Sequence, residues 1–84
     1  MKIGYWYVNV GDKLNKHIEI GTVCLCSTFV NDPPNRYLIT FWKVDPRTNY
    51  FFADQKWAYP KRGFYKRVSR KHALNMLLMK GIEL

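Results

Sequence analysis

Acidic residues are scarce in this chain, with six Asp and Glu against fourteen Lys and Arg in 84 residues. Their scarcity is also uneven. Residues 1–54 hold six bases and five acids, whereas residues 55–84 hold eight bases and one acid, Glu83. A cationic surface confined to one part of a small domain attracts polyanions and accelerates their encounter, and nucleic acid is the commonest such partner.

Cysteine is nearly absent as well. Cys24 and Cys26 are the two thiols, one residue apart in a β-rich stretch. On a strand such neighbours share a face but stand too far apart for easy bridging, so the expectation is two free, buried thiols in a reducing cytoplasm. Zinc is the weaker alternative. A structural zinc site takes four ligands, and His17 and His72 are the only histidines that can join the pair. No metal and no cofactor are therefore expected.

No stretch approaches the roughly 18 consecutive apolar residues of a membrane span. The opening "MKIGYWYVNVGD" lacks an uninterrupted apolar core and a small-residue cleavage site, so it reads as structure rather than signal peptide. The expected protein is soluble, with no membrane partner. Repeats and low-complexity tracts are lacking too, and 84 residues suit a single domain, 1–84. Catalytic motifs are equally scarce: there is no Gly-rich phosphate loop, nucleophile elbow, HExxH or usefully spaced carboxylate pair. The protein is expected not to be an enzyme.

Aromatic residues, by contrast, are plentiful, with three Trp, six Tyr and five Phe. Each buries on the order of 150–250 Å², enough in sum for one compact core. "IGYWYVNV" (3–10) reads as a first strand ending at Gly11-Asp12. "HIEIGTVCLCSTFV" (17–30) reads as a second, with a change of parity that calls for a bulge or bend near Gly21 or Ser27. "NDPPN" is a turn. "RYLITFWKV" (36–44) and "NYFFADQKW" (49–57), joined by "DPRT", read as a hairpin with a type I turn. "AYPKRG" is a loop and "FYKRV" a short last strand. From Ser69 the period becomes helical: Ser69 is placed to cap, Leu74, Leu77 and Leu78 form the apolar stripe, and Met76 and Met79 widen it. Gly81 then ends the helix with Ile82 folding back onto Leu77. The fold expected is α+β, a small curled antiparallel sheet of four or five strands with one C-terminal helix packed on it. A small SH3-like or OB-like barrel is the runner-up.

The segment "PKRGFYKRVSRKH" (60–72) holds the excess charge. If Ser69 caps the helix, Arg70, Lys71 and His72 occupy its first turn, where the macrodipole makes cations unfavourable. Local stability does not select them. A bound anion reverses that argument, because free N–H groups, the Ser69 hydroxyl, Arg70 and Lys71 together suit a phosphate, and Lys61, Arg62, Lys66 and Arg67 extend the site along a backbone. The competing reading is an ordinary solvated charged face. Rings interleave with the bases, and Tyr65 is the first choice to stack on a nucleobase, sharing a strand face with Arg67; Tyr59 is the second. "KRGFYKRV" carries the basic–glycine–aromatic order of the RNP1 motif of RNA-recognition motifs. That fold needs a helix between its first two strands, and none is expected here.

The leading expectation is a non-enzymatic nucleic-acid-binding module, for DNA or RNA, using Lys61, Arg62, Tyr65, Lys66, Arg67, Ser69, Arg70 and Lys71. An accessory factor of phage or mobile-element type, docking on an acidic protein partner, is the alternative. A small basic ribonuclease working through His72, Arg67, Lys71 and Tyr65 is the third.

Overall fold

Five strands and one helix make up the fold in the computed structural model, which describes residues 1–84 apart from Pro33, Pro60 and Arg62. In chain order these are β1 (Trp6–Asn9), β2 (Val23–Val30), β3 (Arg36–Val44), β4 (Phe51–Ala58), β5 (Tyr65–Val68) and α1 (Arg70–Met79). The strands form one antiparallel sheet in the order β4-β3-β2-β1-β5. An α+β domain with a small antiparallel sheet and one C-terminal helix is what the sequence leads one to expect. No helix among the described residues is long and apolar enough to cross a membrane.

Both faces of the sheet are apolar, because the strands alternate two sets of large side chains rather than apolar with polar. One face carries Tyr7, Cys24, Cys26, Ile39, Phe41 and Ala58, closed over by Ile18 from the loop after β1. The other carries Trp6, Val8 and Val23, on which α1 lays Ala73 and Leu77, with Ile82 beside them. Trp6 and Trp42 stack on this second face, with ring centres 5.5 Å apart. Sandwiching the sheet between a helix and a loop lets so short a chain bury residues such as Phe41, Ile39 and Ile18 almost completely.

The helix ends as its sequence dictates. Ser69 sits in extended conformation and its Oγ accepts from His72 N–H at 3.1 Å, the N-cap bond. At the other end Gly81 takes φ +82°, and Ile82 N–H donates to Leu77 C=O at 3.0 Å. The apolar stripe is narrower than expected, however. Ala73 and Leu77 are buried and Leu74 and Met76 half-buried, while Leu78 and Met79 face solvent. The i, i+4 pair Ala73–Leu77 faces the sheet, and the small Ala73 permits close approach there, rotating Leu78 and Met79 outward.

Two strand expectations need correction. Residues 17–22 are loop, not strand: Gly21 takes φ +90°, and Thr22 N–H donates to Glu19 C=O, a turn that breaks the alternation of Ile18 and Ile20. The first strand begins at Trp6 rather than Ile3, since Gly4 takes φ +85° and Tyr5 N–H turns back to Lys2 C=O. The bulge falls where parity changes, between Cys26 and Thr28. In the β3–β4 loop, Asp45 Oδ1 accepts from Arg47 N–H, but Asn49, at φ +61°, closes the turn by donating to Asp45 C=O, one residue later than a type I turn does. The "NDPPN" turn and the loop "AYPKRG" each include residues outside those described.

Candidate nucleic-acid interface

Pairing of β5 with β1 sets the geometry of the basic segment. The register places Arg67 opposite Tyr7, Lys66 opposite Val8 and Tyr65 opposite Asn9. Strand alternation then sends Tyr65 and Arg67 to the face bearing Tyr7, and Lys66 and Val68 to the helix-covered face. Val68 packs into the helix-side core accordingly, while the Lys66 side chain is exposed at the sheet edge.

Arg67 is the best-positioned of the segment's described cations. Its guanidinium carbon lies 3.8 Å from the centre of the Tyr5 ring, a stacked cation–π contact. Stacking fixes the guanidinium plane and leaves its edge N–H groups free to donate, the geometry suited to bidentate phosphate contacts. Tyr5 is absent from the residues singled out by sequence, because it reads there as one of several core aromatics of a first strand. Its signal is Gly4, whose left-handed conformation turns the chain just before Tyr5 and leaves the ring 38% exposed.

Arg67, Ser69 and Arg70 converge. They line an open cleft of about 540 Å³ with Gly4, Tyr5, Trp6 and Val68, at the point where β5 passes into α1. The first turn of α1 contains no acid, and Arg70, Lys71 and His72 are all exposed. Lys61, Lys66 and Lys71 lie outside the cleft but on the same stretch of chain, and all are exposed. Arg62 lies outside the described residues. Among the described residues the one ion pair is Arg47 with Asp45, in the β3–β4 loop at 3.6 Å, so Lys61, Lys66, Arg67, Arg70 and Lys71 form no ion pair among them.

Tyr65 plays a different part from the one its sequence context suggests. Its ring is half-buried against the core, and its hydroxyl donates to Asp12 Oδ2 at 2.8 Å. Burial and that bond push the phenol well above its ordinary pKa. The ring is a tie between β5 and the loop after β1, and Tyr5 is the exposed ring beside Arg67. Tyr59 is 55% exposed, but it lines a second cleft, with Asp12, Leu14 and Trp57, rather than the cationic one.

The remaining chemistry-bearing side chains are placed as follows. His17 and His72 are exposed. Cys24 and Cys26 are free thiols with no solvent exposure; burial, reinforced by the neighbouring thiol, pushes Cys24 up to about 12, and burial raises Cys26 as well. No cluster of His, Cys, Asp and Glu fit for a metal ion occurs among the described residues. Asn9 is the most heavily engaged polar group: wholly buried, its amide donates to the carbonyls of Asp12 and Ile18, and its Oδ1 accepts from the N–H groups of Gly11 and Asp12. It shapes the loop that carries Asp12 to Tyr65. The chain matches no family model, no curated protein and no solved structure with which it was compared.

Proposed function

We propose that this protein is a non-enzymatic nucleic-acid-binding module that grips phosphates at the junction of β5 and α1. The observation that carries the reading is the convergence of Arg67, stacked on Tyr5, with Ser69 and Arg70 around one open cleft. Arg67 offers a pre-oriented donor edge, the capped helix start offers N–H dipoles, and Tyr5 offers a π-face within reach of a base. Lys61, Lys66 and Lys71 extend the cationic track beyond the cleft. Cations in the first turn of a helix cost stability until an anion arrives, so the segment is suited to a ligand rather than to its own fold.

A small-barrel-like curl of the sheet belongs to the same proposal, as an open one: the meander from β1 to β4 with β5 laid back beside β1 leaves β4 and β5 as unpaired edges among the described residues. Two free thiols fit a reducing compartment, and we place the protein in the cytoplasm.

The test is fluorescence anisotropy with labelled single- and double-stranded DNA and RNA at low and physiological salt. Binding that falls steeply with salt, and that is lost when Arg67, Arg70 and Lys71 are together changed to Ala, is the expected result. Failure of the folded wild type to bind any probe overturns the proposal, and the basic edge then belongs to an acidic protein partner.

A further inference from the structure

The two edges of the sheet are built differently. β5 is four residues long and presents Lys66 and Arg67, both exposed, in the manner of a guarded edge. β4 is eight residues long, pairs with β3 without a register shift and contains no proline. Its outer side pairs with no strand among the described residues. Exposed aromatics gather along it: Tyr50, Phe51, Phe52, Trp57 and Tyr59.

The direction of its free backbone groups follows from the hairpin. Asp45 N–H donates to Tyr50 C=O, which makes that pair a bonded one, and bonded pairs alternate along an antiparallel ladder. Phe52, Asp54, Lys56 and Ala58 therefore spend their backbone groups on β3. Phe51, Ala53, Gln55 and Trp57 direct theirs outward. Consistently, the Gln55 N–H has no ladder partner and is taken up by the carboxylate of Asp54 at 2.8 Å.

We propose that β4 is a homodimerisation edge, pairing antiparallel with β4 of a second copy about a two-fold axis through Gln55. That register joins outward groups to outward groups, Gln55 to Gln55 and Ala53 to Trp57. It also sets Asp54 opposite the partner's Lys56, twice over by symmetry, on the face that bears Phe41 and Ile39. On the opposite face the large Trp57 meets the small Ala53, and Phe51 meets Tyr59. Phe52 comes to lie against Ala58 of the second copy, a wall of the cleft of about 370 Å³ that Leu14, Trp57 and Tyr59 also line. Neighbouring registers lack this match: centring on Asp54 or on Lys56 opposes like charges, and centring on Ala53 leaves both charges facing rings. The carboxylate that caps Gln55 N–H in the single chain passes to Lys56 as the partner strand supplies a carbonyl. The basic segment lies at the other edge of the sheet, so pairing leaves it open in both copies.

The experiment is sedimentation velocity of the full chain across a concentration series, with D54K, K56D and the double variant D54K/K56D. The wild type is expected to reach twice the chain mass of 10.0 kDa. Each single variant sets like charges opposite and is expected to weaken the dimer by about tenfold or more. The double variant restores it, and mixing D54K with K56D yields a heterodimer from two weakly associating proteins. A wild type that stays at the single-chain mass throughout, singles that dimerise as the wild type does, or a mixture that fails to associate overturns the proposal. Should a single variant lose its β-sheet circular dichroism, Gln55→Pro replaces it, since the N–H it deletes points away from β3; an undiminished dimer then overturns the proposal equally.

Discussion

The hydroxyl of Tyr65 donates to Asp12 Oδ2 at 2.8 Å, joining β5 to the loop that follows β1. Asp12 is almost wholly buried, and its other oxygen accepts from Leu14 N–H. A carboxylate so enclosed depends on each of its donors, because burying it without them carries a large desolvation cost. Tyr65→Phe is therefore expected to lower the unfolding free energy by about 1.5–3 kcal/mol, read from urea denaturation. Nucleic-acid affinity of the folded variant is expected to match the wild type. A large loss of affinity with unchanged stability would return Tyr65 to the binding surface.

The same residue, with the two thiols, gives the fold an alkaline limit. Burial raises Cys24 to about 12 and raises Cys26; burial and the Asp12 bond raise Tyr65. Each group keeps its proton in the folded protein at a pH where the unfolded chain has lost it. The unfolded state then binds fewer protons, so stability must fall as pH rises. The contribution is complete below the ordinary thiol value of about 8.5 and declines from there past the ordinary phenol value of about 10. Urea midpoints measured from neutral to strongly alkaline pH should be level and then drop, and Tyr65→Phe should flatten the part above the phenol value. A midpoint that holds steady across that range would contradict the burial of these groups.

Asn9 holds the loop 10–18 from beneath, through four hydrogen bonds to backbone groups. Asn9→Ala strands two carbonyls and the Asp12 N–H in an enclosed site, while Gly11 N–H keeps its bond to Phe64 C=O, and is expected to cost about 3 kcal/mol or more. Asn9→Asp keeps the shape and the acceptor but replaces the donor with an oxygen facing the carbonyls of Asp12 and Ile18. It should be no milder than the alanine variant. Thermal melts of both decide the matter, and an Asp variant as stable as the wild type would mean that the amide donors contribute nothing.

What the sequence made legible was local. The helix from its Ser69 cap to Gly81, the β3–β4 hairpin and the bulge after Cys26 each follow from residue type and period within a short window. Residues 17–22 misled because Ile18, Ile20 and Thr22 alternate as a strand does. The deciding facts are the left-handed Gly21 and its N–H bond to Asn9 C=O, a contact between residues twelve apart. The Tyr5–Arg67 stack was hidden for a stronger reason, since it exists only once β5 has paired beside β1. Eight bases in the last thirty residues announced a cationic surface, and nothing short of the tertiary fold could say which ring would lie beside them.

Stack and charge can be separated at the cleft. Arg67→Lys keeps the charge and loses the planar guanidinium over Tyr5, whereas Lys71→Ala deletes an exposed charge that touches no ring. Losing the oriented cation–π contact should weaken nucleic-acid binding by about two- to fivefold at every salt concentration and leave the salt slope unchanged. Losing one phosphate contact should instead reduce the slope by about 0.7–0.9, so that the deficit shrinks as salt rises. Tyr5→Leu is expected to cost at least as much as Arg67→Lys, likewise without changing the salt slope, because it removes the same stack from the other side together with the π-face offered to a base. If Arg67→Lys binds as the wild type does while Lys71→Ala flattens the slope, the grip is purely coulombic, and the orientation that Tyr5 imposes on Arg67 serves the fold rather than the ligand.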